Sequence, residues 1–422
     1  MATPPRPFAG RARLLRALPS SLLFASLLLP LPACVVDGVD APDPTSASSA
    51  HTNGGAFGVV PSVTAGPAAL AEGNTRDDIG TPTPTDFATY DGSREVVHPD
   101  VVTFPSGWQG HRYWAALTPY PNSASRLENP SLFGSETGDT WAVPAGVSNP
   151  LATTRRGYLS DPDMVFEPTR GELWLYYREV VNGRVRGMRE HHMADRVWLV
   201  TSGNGVAWSA PRPVTTDRHA YRVSPTVVRR EAGAWTMWQV DAGPDGCNAR
   251  QTRLVARQSA DGVRWSEAAP VQFAQPGFTP WHVDVQWIPA RQEYWALVAA
   301  YVPGQGCNST SLFLATSPDG QAWTTYPTPV LARGTVPQFD RNVYRSTFAY
   351  EGDGAVTLWF TGARTARPAA RRRAEVLVWS AATTHTTAAA LLARVRQPAG
   401  TAVALASRQL AHVQPVRTPD MP

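Results

Sequence analysis

Lysine is missing from this sequence: every one of its 38 basic residues is arginine, set against 34 acidic residues for a formal charge of +4. The arginines are scattered and the aromatics fall at strand spacing, so no nucleic-acid footprint forms and no nucleic-acid partner is expected. The one basic cluster, "RPAARRR" at 367–373, reads as a solvated loop, with contact to an anionic lipid or glycan as the alternative. Helical periodicity is almost as scarce. Only "TTAAALLARVRQ" at 386–397 shows it, which excludes a predominantly helical fold. Walker loops, Rossmann glycine signatures and a Ser-His-Asp order are all absent, which removes the common nucleotide-binding and serine-hydrolase readings. Three cysteines allow one disulfide at most.

What is present begins with a secretory signal. "RARLLRALPSSLLFASLLLPLPAC" has a basic start, an apolar run and a small residue before Cys34. "LPAC" at 31–34 resembles the bacterial lipobox, which implies cleavage before Cys34 and lipidation there; a plain secreted protein cut nearby is the alternative. Val35 after the cysteine points to the outer membrane or cell surface, with the anchor as the only membrane contact. Residues 1–33 are thus read as signal peptide. Residues 34–90, rich in Pro, Ser, Thr, Ala and Gly, cannot bury enough apolar area to order themselves, and read as a tether. Cys247 and Cys307 remain, in the similar turns "DGCNAR" and "GQGCNST". In an oxidising compartment a disulfide is expected, with two free thiols as the alternative.

Four segments repeat a turn followed by tryptophan: "SETGDTW" (135–141), "SGNGVAW" (202–208), "SADGVRW" (259–265) and "SPDGQAW" (317–323), with "VWSAATT" (378–384) as a candidate degenerate fifth. Such turns suit hairpins, since glycine accepts positive φ and Asp or Asn bonds the local backbone. Before each turn recurs a strand, a turn and an aromatic-rich strand. Aligning the prolines puts His98, Asp161, Ser224, His282 and Arg345 in one column, spaced 63, 63, 58 and 63 residues. Two residues on stand Asp100, Asp163, Thr226, Asp284 and Thr347. Five repeats of short alternating strands predict a five-bladed β-propeller over 91–395, with 396–422 as a tail. A β-sandwich explains the strands but not the period. Positions two apart share a strand face, so both columns are expected to line the central channel.

The repeats, the Ser-x-Asp-Gly-x-x-Trp turns and the "SDP" strand start resemble the propeller glycosidases of arabinanase, levansucrase and invertase type, glycoside hydrolase family 43-like, over about residues 90–385. The resemblance implies a blade-one Asp as base or nucleophile, a blade-two Asp tuning pKa and a blade-three Glu as acid. Asp161 matches the blade-two position. In blade one His98 takes the expected Asp-Pro position, with Asp100 as the candidate base. Blade three carries Val223 and Ser224 where the acid belongs, which leaves Glu128, Asp163 or Asp284 as proton donor. His98, His282, Arg345 and Ser224 would hold substrate, with Trp281 and Tyr120 as sugar platforms. The adjacent His191 and His192 read as loop polarity rather than metal ligands. No cofactor is required by this reading, although hard-cation chemistry leaves Ca²⁺ near His282 and Asp284 open. The expected function is a monomeric, exported, glycan-binding glycoside hydrolase. A non-catalytic surface propeller that binds carbohydrate or protein is the alternative.

Overall fold

Alternating apolar and polar residues form strands because successive side chains leave opposite faces of the sheet. A computed structural model describes residues 79–183, 191–218, 221–231, 233–366 and 376–396. Five antiparallel sheets result, one per repeat. Blade one holds β2 (Val96–Trp108), β3 (His111–Pro119) and β4 (Ser131–Ser135), after the short β1 (Thr83–Thr85). Blade two holds β5 (Tyr158–Glu167), β6 (Glu172–Gly183), β7 (His191–Ser202) and β8 (Arg212–Arg218). Blade three holds β9 (Tyr221–Glu231), β10 (Ala234–Gly243), β11 (Arg253–Ser259) and β12 (Ala269–Pro270). Blade four holds β13 (Thr279–Ile288), β14 (Glu293–Tyr301), β15 (Ser311–Ser317) and β16 (Thr324–Thr325). Blade five is β17 (Asn342–Tyr350), β18 (Ala355–Ala366) and β19 (Val376–Thr387), with β1 added beside β19 as its outer strand. The five-bladed propeller expected from the repeats is the fold found.

Two expectations change here. The ordered chain starts before residue 91, because Thr83–Thr85 pair with Thr383, Ala382 and Ala381 and so close the last blade. "VWSAATT" is no turn: all seven residues lie inside β19, where β1 and β18 flank it. The helical stretch is present as α1 (Ala388–Val395), capped by the Thr387 hydroxyl, which accepts from the Ala390 N–H. Cys247 and Cys307 form the expected disulfide, with Cα atoms 4.9 Å apart. Cys34, the tether up to residue 78, "RPAARRR" and the tail from 397 lie outside the described residues.

The repeated turn is a latch between blades. In each copy the serine hydroxyl accepts the glycine N–H, at 2.8–2.9 Å for Gly138, Gly205, Gly262 and Gly320. The tryptophan indole then donates to that glycine's carbonyl at 3.1 Å. The same carbonyl takes a second donor from the preceding blade: Trp359 for Gly138, Tyr176 for Gly262 and Trp238 for Gly320. Gly205 instead closes against the Trp114 ring of blade one. A Cβ at Gly320 would stand 2.6 Å from the Trp238 ring, at φ +72°. Trp238 is fully buried against Tyr294 and Trp323, so it has nowhere to retreat.

Gly320→Ala should therefore cost about 2–4 kcal/mol, from left-handed backbone strain plus overpacking. Gly352→Ala, whose Cβ meets nothing within 4 Å, should stay within roughly 0.5 kcal/mol of the parent. Urea unfolding midpoints measure both, and equal values for the two variants would contradict the latch.

Candidate active site

Every leading strand carries a register shift at its first column residue, between Val97 and Asp100, Ser160 and Asp163, Pro280 and His282, and Val343 and Ser346, and opposite Gln239 in blade three. Such bulges bend a strand and re-aim a side chain. His98, Asp161 and Ser224 have φ of 57°, 49° and 59°, and these are the three column residues that precede a proline. Proline lacks the N–H a regular ladder needs, so it sits where the ladder is already broken. The strained backbone collects at one end of the channel.

The first column converges on Asp161. Its Oδ1 lies 3.2 Å from Arg345, 3.3 Å from His282 Nδ1 and 3.7 Å from His98 Nε2. Its Oδ2 accepts from the Ser160 hydroxyl at 3.0 Å and faces Arg178 at 3.4 Å. His98 Nδ1 meets Thr118 Oγ1 at 3.2 Å and Glu128 Oε2 at 3.4 Å. Arg178 reaches on to Asp195 at 3.0 Å, and Asp195 to His192 at 3.1 Å. His98, Asp161, His282, Arg345 and Glu128 are all at most 5% exposed. Tyr120, Tyr158 and Tyr221 are only partly buried and stand nearest these groups, Tyr221 stacked on His192 at 3.8 Å.

Burial and charge then divide the titrations. Burial drives the His98 and His282 pKa values down despite Asp161, so both imidazoles are neutral at pH 7. Burial also pushes Asp161 up, but the surrounding His98, His282 and Arg345 outweigh it and hold the carboxyl well below its usual range. With the imidazoles neutral, the two guanidiniums carry that stabilisation. Glu128 moves the other way: burial first, then the Asp161 charge, raises it well above the usual range. Two carboxyls whose pKa values are pushed in opposite directions thus flank the His98 ring.

The second column has a structural task. Asp100 Oδ2 accepts the Met164 N–H at 2.6 Å, Asp163 Oδ2 the Val227 N–H at 2.9 Å, and Thr226 Oγ1 the Val285 N–H at 3.0 Å. In the first column Ser224 does the same, accepting from Val283 N and donating to Val283 O. The leading strands of blades one, two and three are thereby each stapled to the next. A cavity of about 400 Å³ opens from the other end of the leading strands and reaches Asp100, Asp163 and Asp284 rather than Asp161.

No family model matches the sequence. A curated relative, the A type blood N-acetyl-α-D-galactosamine deacetylase of Flavonifractor plautii, is 29% identical over 315 residues, covering 63% of this chain and 40% of the relative. The chain therefore spans about two-fifths of that relative's length. The crystal structure of an N-acetylgalactosamine deacetylase from F. plautii in complex with blood group B trisaccharide matches with a TM-score of 0.67 at 24% identity, covering 76% of this chain and 99% of that one. A xylan β-1,4-xylosidase from Bacillus halodurans C-125 has a TM-score of 0.49 at 14% identity, with 71% and 54% covered. The five-bladed propeller is the fold this chain shares with that deacetylase structure.

Several expected roles do not survive the geometry. Asp100 and Asp163 spend a carboxylate oxygen on a neighbouring backbone, and Ser224 spends its hydroxyl likewise, so their first task is to join blades. One carboxylate oxygen from each of Asp100, Asp163 and Asp284 lies within 4.8 Å of the others. Trp281 is no platform: it is 7% exposed and donates its indole N–H to the Tyr344 hydroxyl. Arg345 is 1% exposed; its Nη1 donates to Asp161, while its Nε and Nη2 have no hydrogen-bond partner. Tyr120 is partly buried and packs against Trp379, 5.1 Å between ring centres. His192 is not idle loop polarity, since it pairs with Asp195. Glu128, His98 and His282 do enter the cluster around Asp161. Arg178, Asp195, Tyr158 and Tyr221 escaped the sequence reading; a lone arginine inside the apolar run of β6 was the available signal.

Asp284 is raised to about 8, by burial and by the Asp100 charge. A raised carboxyl stabilises the fold most below its unfolded value near 4 and loses that contribution as pH climbs to about 8. Thermal midpoints of the protein should therefore fall more steeply between pH 4 and 8 than those of Asp284→Asn. Parallel curves would refute the shift.

Proposed function

We propose that this chain is a glycan-directed hydrolase that removes the acetyl group of an N-acetylated amino sugar at the Asp161 cluster. One observation carries the reading. Two neutral buried imidazoles turn toward an ionised carboxylate, and His98 Nε2 and both ring nitrogens of His282 lack hydrogen-bond partners. Their ligand atoms and that of Asp161 lie within 4.8 Å of one another. A His₂-carboxylate set with open nitrogens fits a divalent transition metal. Such an ion, when bound, supplies a hydroxide near neutral pH and polarises a carbonyl. The deacetylase activity named for the relative of 29% identity supports the same reaction class.

This chain's residues would divide the work as follows. Thr118 and Glu128 take the Nδ1 side of His98 and leave Nε2 turned to Asp161, which fixes the tautomer a metal ligand needs. Arg178 and Arg345 keep Asp161 ionised. Tyr158 offers an aromatic ring for a sugar face beside Arg178 and Glu128. Export and a lipid anchor, expected from residues 1–34, fit a glycan substrate outside the cell, and the Cys247–Cys307 disulfide suits that compartment.

A second reading, hydrolysis of an O-glycosyl bond, draws on the neutral Glu128 and ionised Asp161 flanking His98, an acid and base pair whose environments push their pKa values apart. Acetate and reducing-sugar release from N-acetylgalactosamine- and N-acetylglucosamine-bearing glycans separate the two. Acetate release should stop with a chelator and return with Mn²⁺, Co²⁺ or Zn²⁺. Asp161→Asn and His282→Gln should each lose at least about 100-fold, and Glu128→Gln about 10–100-fold. Reducing sugar without acetate would select the second reading, and neither product would leave a binding propeller.

A further inference from the structure

The second-column carboxylates form a site of their own. Asp100, Asp163 and Asp284 are each at most 4% exposed, and an oxygen from each falls within a 4.8 Å span. Asp100 and Asp163 each give one oxygen to a backbone N–H and keep the other. Asp284 Oδ2 has no partner, although it is buried. The Thr347 hydroxyl, fully buried beside Asp100 and Asp284, also finds no bond of acceptable geometry. Arg345 is the cation felt by all three carboxylates, and its guanidinium is already bound to Asp161. Orphaned oxygens at this depth are costly unless something binds them.

We propose that Asp100, Asp163, Asp284 and the Thr347 hydroxyl hold one calcium-class cation at the waist of the channel, reached through the 400 Å³ cavity at the end opposite Asp161. The donors are all hard oxygens, which select against the imidazole-seeking metals. Calcium takes six to eight oxygens at about 2.3–2.6 Å in a loose geometry, which suits three carboxylates and a hydroxyl gathered from four blades, whereas magnesium demands a near-ideal octahedron. The cavity, walled by Met164, Phe166, Trp287 and Phe348, admits the waters that bring the coordination to six or more. The cation would bridge side chains of blades one, two, four and five, joining staples that otherwise run only from one blade to the next. This site does not depend on whether the Asp161 cluster hydrolyses a glycan.

Calorimetric titration of CaCl₂ into the chelator-stripped full chain tests it. One equivalent is expected, with affinity weakened at least about 30-fold in Asp284→Asn and about 5-fold in Thr347→Val, and within about 3-fold of the parent in His282→Gln. Calcium should also raise the thermal midpoint of the parent and not of Asp284→Asn. If Asp284→Asn does not fold, Thr347→Val decides alone. No uptake below about 10 mM calcium, affinity unchanged in the folded column variants, or equal loss in His282→Gln overturns the proposal.

Discussion

A side chain of one blade bonding the backbone of the next is the constraint on which this molecule rests. Apart from the single bridge between Gln272 and Ala322, no strand of one sheet pairs with another sheet among the described residues, so something else must set the blade angle. Near the axis that is the accepting oxygen of Asp100, Asp163, Ser224 and Thr226, always directed to the following blade. Farther out it is the glycine carbonyl of the Ser-x-x-Gly-x-x-Trp turn, directed back to the preceding blade. Opposed linkages at two radii resist both splaying and slipping of a blade. Net contributions of about 0.5–1.5 kcal/mol per neutral bond, and roughly 1.5–3 for those to carboxylates, accumulate around the ring.

That arrangement explains how one channel holds two environments a few residues apart. The bulge at each strand start turns the first column toward Arg178 and Arg345, where positive charge is concentrated and a carboxylate stays ionised. One step along the strands the acids face each other instead, and Asp100 rises to about 6 while Asp284 reaches about 8. The same residue type, two positions on, meets the opposite field. Nitrogen-rich donors at one end and oxygen-only donors at the waist follow from that division.

The repeats made the fold legible, since a turn and a column recurring every sixty residues leave few architectures. The column also located the channel, because proline marks where each strand departs from its ladder. Function was harder to read from the same signal. A two-residue period places a carboxylate on a face but says nothing of whether a neighbouring N–H will occupy it, and so Asp100 and Asp163 looked free. Arg178 and Asp195 come from second and third strands, where no repeat flagged them; Arg178 reaches Asp161 from the strand paired with β5, and Asp195 stands behind it. Thr83–Thr85 looked like tether because three residues carry too little pattern to announce a strand.

That short strand bears on how the molecule is made. Thr83 binds Thr383 across a separation of 300 residues, and such contacts form late because loop closure must come before any reward. During synthesis Thr83–Thr85 must wait, unpaired, until β19 and so nearly the whole ring has emerged. The wheel is thus locked in its last step by a strand that precedes all five blades in the sequence.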